Sequence, residues 1–173
     1  MKNRNKVFLA AIVMIGFATS ANAQATASSS ASATIVTPIS IVNNTGMNFG
    51  NIAVQTGTGG TVALSAAASA SRVAGGAGGV TLPNVTGTVT SAKFTVSGTA
   101  NYTYTITLPS SAVTLSSGSN TMDATSFINS TAGTLSGTGS EVFYVGATLT
   151  VAAAQGAGTY TTATPFDVVV NYN

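Results

Sequence analysis

Gly158–Asn173, GTYTTATPFDVVVNYN, is the stretch whose reading decides the fold. Phe166, Val168, Val170 and Tyr172 fall at every second position. Residues two apart in a strand share a face, so these four form one apolar row. Asp167, Val169 and Asn171 form the opposite, more polar row. A strand of this kind is expected to lie in the core, and the given sequence closes on it.

The same period recurs upstream. Ile35–Val42 (IVTPISIV) sets Ile35, Ile39 and Ile41 on one face. Pro38 removes a backbone donor, which predicts an edge strand or a break there. Asn43–Gly46 is turn chemistry. Met47–Val54 (MNFGNIAV) follows as a strand, with Phe49 inward and Gly50 marking a bulge or a close approach. Thr61–Ala66 reads as a short strand. Ala67–Gly79, with Arg72 and a glycine run from Gly75, reads as the least structured part of the body. Val80–Val85 and Thr88–Gly98 resume the strand signal. In Asn101–Leu108 (NYTYTITL), Tyr102, Tyr104, Ile106 and Leu108 alternate with threonine until Pro109. Val113–Leu115 is short, Ser117–Asn120 is a turn, and Met122–Ile128 predicts a short strand or a 3₁₀ turn. Glu141–Val151 aligns Val145, Ala147, Leu149 and Val151. No useful helical spacing occurs beyond the N-terminus. Eight or nine short strands punctuated by Gly, Pro and Asn predict an all-β protein, an antiparallel immunoglobulin-like β-sandwich. A small barrel is the alternative. An outer-membrane barrel would need longer strands and aromatic girdles.

The N-terminus reads as a secretory signal peptide over 1–23. Lys2, Arg4 and Lys6 precede the apolar run Val7–Ala18, and Ala21-Asn22-Ala23 supplies the cleavage pattern. The run is too short for a transmembrane helix, which takes about 20 residues. Residues 24–34 (QATASSSASAT) form an Ala/Ser/Thr-rich leader, read as flexible. Its alternative reading is an added strand, because Ala25, Ala27, Ala31, Ala33 and Ile35 sit at odd positions. Residues 35–173 form the single domain. The expected destination is the periplasm, the cell surface or the medium.

Removal of the signal changes the charge. Arg72 and Lys93 then face Asp123, Glu141 and Asp167, leaving one net negative charge. Two isolated bases make no nucleic-acid footprint and no anchor for an acidic membrane surface. With no cysteine, the secreted chain has to rely on packing and strand pairing.

Catalysis finds few candidates. The chain has no His and no Cys, so its many hydroxyls lack an imidazole partner. Lys93 is out of phase with Phe94 and Val96 and is expected in solvent, which argues against a Ser–Lys pair and against a Lys93–Asn171 cross-link assisted by Glu141 or Asp123. Asp123, Glu141 and Asp167 lie on separate segments, against a glycosidase pair or a calcium site. Gly75–Gly79 lacks the Lys-Ser/Thr of a phosphate loop. The N-x-S/T sequons at Asn43, Asn84, Asn101 and Asn129 are expected by chance in such a composition. No catalytic, cofactor or metal residue is expected.

Met47–Ile52 (MNFGNI), after an Ile-rich first strand, and the closing Val168–Asn173 carry a resemblance to a family of uncharacterised secreted bacterial domains with an early N-F-G motif and a V-x-V-x-Y strand. The layout is more loosely similar to spore coat protein U-type domains and to pilins of archaic chaperone–usher systems, which polymerise by lending an N-terminal strand to a neighbour's groove. Unlike many such pilins, this chain has no cysteine. The resemblance implies a structural cell-surface protein, self-associating or joined to pilus-type partner subunits by strand addition. Ile35, Ile39 and Ile41, with Phe166, Val168, Val170 and Tyr172, are the candidate assembly residues. The alternative is a monomeric binding module, with carbohydrate as ligand and Tyr102, Tyr104, Tyr144 or Tyr160 as contacts.

Overall fold

The computed structural model describes residues 24–173. The signal peptide read over 1–23, with Ala21 and Ala23 at its cleavage site, lies outside the described residues. The chain divides into one unit up to Ile35 and a second from Val36 to Asn173. In the first unit, residues 24–35 have no regular structure and are exposed.

The second unit contains strands and no helix. In chain order they are β1 (Ser40–Thr45), β2 (Asn48–Phe49), β3 (Ala53–Val54), β4 (Gly60–Leu64), β5 (Arg72–Gly75), β6 (Val80–Thr81) and β7 (Val89–Thr90). There follow β8 (Ala92–Ser97), β9 (Tyr104–Thr107), β10 (Val113–Ser117), β11 (Asn120–Asn129), β12 (Ser140–Val151), β13 (Thr161–Thr162) and β14 (Val169–Tyr172). One large sheet runs β1-β8-β12-β11-β10-β13, and β4 pairs with both β12 and β5. Three small sheets, β14-β9, β2-β7 and β3-β6, accompany it. Every pairing is antiparallel. The fold is all-β, as the alternation predicts.

The spine is β12 rather than the closing strand. Phe143, Val145, Ala147, Leu149 and Val151 all point inward and are buried. Phe143 and Val145 join one core cluster with Phe94, Val96, Tyr104 and Val170. Ala147, Leu149 and Val151 join the other with Phe49, Val62, Leu64 and Val80. Each fully buried aliphatic or Phe side chain is worth about 1.5–3 kcal/mol, so one twelve-residue strand holds both halves together. Phe94 and Phe143 stack at 5.4 Å on neighbouring strands.

Five local readings change, the first at Asn43–Gly46, where Asn43–Thr45 belong to β1 and pair with β8 across a register shift instead of forming a turn. The first strand starts at Ser40, not Ile35, and Ile35 is 98% exposed. Pro38 has no N–H to give to a ladder, so pairing begins only beyond it. Ala67–Gly79 contains β5, which pairs with β4 from Arg72 to Gly75. Met122–Ile128 belongs to the ten-residue β11, whose register shifts between Thr125 and Ile128, where Ser126 has φ 52°. The strands number fourteen rather than eight or nine among the described residues. Interruptions account for the excess: Gly50, at φ 68°, separates β2 from β3.

Candidate functional site: an uncovered groove

The site begins with the bend at Gly50. A side chain there would place its Cβ 2.3 Å from the Thr86 carbonyl oxygen, so only glycine lets these backbones approach. The Asn48 side chain accepts the Gly50 N–H at 2.8 Å and sets the turn. On one side, Met47–Gln55 is well bonded. β2 pairs with β7, Asn51 N–H donates to Thr86 at 2.7 Å, β3 pairs with β6, and Gln55 N–H donates to Gly79 at 2.9 Å.

Arg72 reinforces that side. Its guanidinium Nη1 donates to the carbonyls of Phe49 (2.5 Å) and Asn51 (2.6 Å), and Nη2 to Thr86 (3.2 Å). A planar fork of donors suits three carbonyls converging from two segments. Arg72 is thus a staple across the bend, in a segment whose composition reads as unstructured. The one sequence signal is that it is a lone cation with no carboxylate nearby.

The opposite edge of Asn48–Val54 carries no backbone hydrogen bond to another strand among the described residues. It faces a groove of about 1030 Å³. The far wall is Gln155–Thr162 with Pro165 and Phe166. Its upper end is set by Tyr160, whose hydroxyl donates to the Gly156 carbonyl at 2.7 Å and accepts from Gln155 Nε2 at 2.9 Å. The floor comes from the large sheet: Phe94, Leu115, Met122, Ala124, Phe127 and Leu149. Phe127 meets Phe166 at 5.1 Å where floor and wall join. No lining residue is charged. Away from the groove lining, β14 pairs on one edge with β9 and on the other with no strand among the described residues. A free strand edge beside an apolar floor is a place where an extended chain can pair and bury side chains.

The candidate assembly residues separate. Ile39, Ile41, Phe166, Val168 and Tyr172 pack half-buried around Val170 and Phe143, so they meet in one core cluster. Of these, only Phe166 also lines the groove. Ile35 belongs to the first unit. Tyr172 has a further role. Its hydroxyl donates to the Thr37 carbonyl at 2.8 Å and accepts the Thr99 N–H at 2.7 Å. A Cβ at Gly98 would lie 2.2 Å from that oxygen, so glycine makes room for the contact.

The acidic residues do not converge. Asp123 accepts from the Thr114 hydroxyl at 2.7 Å, Asp167 is exposed, and Glu141 sits in a network of its own. Tyr104 donates to Glu141 Oε2 at 2.7 Å, the Thr134 N–H donates to the same oxygen at 3.2 Å, and the Thr131 hydroxyl donates to Oε1. Burial first, then the bond to Glu141 and its charge, pushes the Tyr104 hydroxyl pKa well above the usual tyrosine value. This pair has no spacing signature in the sequence. Lys93 follows its expected phase between buried Ala92 and Phe94. Among the described residues no cluster of three potential metal ligands occurs. The tyrosines considered for carbohydrate are scattered. Tyr104 is buried, Tyr102 stands edge-on to Tyr172 at 5.6 Å, Tyr144 is on β12, and Tyr160 is at the groove.

A family described as a domain of unknown function (DUF4402) matches residues 39–172. No curated protein and no solved structure matches the chain.

Proposed function

We propose, for a chain that belongs to the DUF4402 family, that it is an exported, non-enzymatic structural protein of the cell surface. In this reading it is a subunit of a fimbria-like assembly and associates by β-strand addition. The observation that carries the reading is the uncharged groove of about 1030 Å³ along the free edge of Asn48–Val54. An extended segment lying there gains main-chain hydrogen bonds along the edge and sets alternate side chains on the Phe127–Leu149 floor. Sheet edges that avoid such pairing are commonly blunted with charge or proline, and Met47–Val54 has neither. Export is supported by the basic and apolar N-terminus.

Electron microscopy of the protein spanning 24–173 tests the reading. Filaments or linear oligomers are expected. Met122→Glu places a charge on the groove floor and is expected to abolish them while the β-type circular dichroism spectrum persists. Filaments unaffected by a folded Met122→Glu variant would move assembly away from the groove.

A further inference from the structure

We propose that a corner of the fold apart from the groove binds a neutral glycan, with the Tyr102 ring as its platform and the Asn101 amide as its hydrogen-bonding group. Two connections build the corner: residues 98–103, between β8 and β9, and residues 130–139, between β11 and β12. Backbone bonds lock one to the other. The Gly98 N–H donates to the Gly139 carbonyl at 2.9 Å, Asn101 to Ser136 at 3.2 Å, and Leu135 to Tyr102 at 3.0 Å. Thr103 and Thr134 pair beside them in an antiparallel bridge. No residue of either connection lines the groove. Loops held by a rigid scaffold are where binding side chains collect.

Tyr102 is 44% exposed, yet its ring is held. It stands edge-on to Tyr172, with centroids 5.6 Å apart, and Tyr172 is itself fixed by its bonds to Thr37 and Thr99. A ring positioned before binding loses little freedom when a ligand arrives. Its face carries negative charge density and suits the C–H face of a pyranose. Next to it Asn101 has φ 64°, in the left-handed region. Its side chain is exposed and enters no hydrogen bond among the described residues. A free amide offers two donors and an acceptor, which neighbouring sugar hydroxyls can meet together.

The class of ligand follows from charge. Residues 98–103 and 130–139 contain no charged side chain. Glu141, just beyond them, already accepts from Tyr104, Thr131 and Thr134. An ionised ligand would lose water here with no opposite charge in return. The Ser136 and Thr138 hydroxyls, 2.8 Å apart and exposed, add polar groups of no charge. An uncharged corner of hydroxyls and an amide around one fixed aromatic ring matches a sugar that carries hydroxyls and no ionised group.

A glycan array tests the proposal, with neutral hexose oligosaccharides printed beside sulfated and sialylated ones. The protein spanning 24–173 is expected to be retained on neutral glycans, equally at low and high salt. Tyr102→Ala is expected to weaken that binding about tenfold, and Tyr102→Phe to keep most of it. Asn101→Gly removes the amide and suits the positive φ, so it is expected to lower affinity without lowering the melting temperature. These variants leave the groove lining intact, so filament formation is expected as in the unaltered chain, and glycan binding and assembly can fail independently. If no neutral glycan is retained, if charged glycans are preferred, or if Tyr102→Ala and Asn101→Gly both bind as the unaltered chain does, the proposal falls.

Discussion

Replacement of Arg72 by methionine removes the staple across the Gly50 bend and leaves the aliphatic reach of the side chain. Three carbonyls, those of Phe49, Asn51 and Thr86, lose a charged donor. Thr86 keeps the Asn51 N–H as a partner, so its loss is small. A hydrogen bond to a charged group contributes about 1.5–3 kcal/mol when shielded. Arg72 is half-buried, and solvent screening reduces that figure. Two effective bonds, discounted, give a destabilisation of about 2–4 kcal/mol. For a domain of this size that lowers Tm by about 5–15 °C. Lysine at the same position carries the charge but not the fork, and is expected to recover less than half of the loss. Urea denaturation of the wild-type, Arg72→Met and Arg72→Lys proteins measures both. A methionine variant within about 0.5 kcal/mol of wild type, the range of ordinary surface substitutions, would refute the assignment of Arg72 as a staple. Because the bend forms one wall of the groove, the same variant is expected to weaken assembly more than its stability loss alone accounts for.

Other outcomes follow from single contacts. Tyr172→Phe deletes the bonds to Thr37 and Thr99 and is expected to cost about 1–3 kcal/mol, read from the urea midpoint; Gly98→Ala is expected to cost more, and the two losses are expected to be less than additive because the clash is with the deleted oxygen. Gly146→Ala drives a methyl group to 2.2 Å from the Leu64 carbonyl oxygen, a backbone atom that cannot swing aside, so soluble yield and Tm should both drop sharply. Tyr104 keeps its proton in the folded chain after unfolded tyrosines lose theirs near about pH 10. Its raised pKa therefore contributes stability that is complete below about pH 10 and is lost as pH rises beyond it, by up to about 1.4 kcal/mol per pH unit. Tyr104→Phe should remove that share of the alkaline slope, and an unchanged slope in urea melts between about pH 9 and about pH 11 would contradict the burial argument.

Alternation in the sequence was enough to identify the buried rows. Phe166, Val168, Val170 and Tyr172 share a face in the structure, and Asp167, Val169 and Asn171 are exposed opposite them. Glycine and proline punctuation located the Gly50 bend and the Ser117–Asn120 turn correctly, since both depend on local backbone freedom. What stayed hidden was long-range. Arg72 and the carbonyl of Phe49 are 23 residues apart, and Tyr104 and Glu141 are 37 apart. No period in a single chain reports such pairs. The groove was illegible for a related reason. Its floor residues Leu115, Met122 and Phe127 fall in stretches read only as short strands or a turn, and only the spacing of the walls above them leaves them half-exposed. Composition also misled at β5, where small residues that look like a flexible loop pair along β4 because the ladder, not the side chains, holds them.

The scarcity of positive charge in 24–173 has an outcome unrelated to assembly. Arg72 and Lys93 are the only sites in this span that a trypsin-like protease accepts. Lys93 lies in β8, paired on both sides with β1 and β12, and Arg72 lies in β5 with its guanidinium held by three carbonyls. Proteases nick exposed, mobile chain, and the exposed leader contains neither residue. The folded protein therefore presents such an enzyme with nothing to cut, and digestion has to wait for the sheet to open.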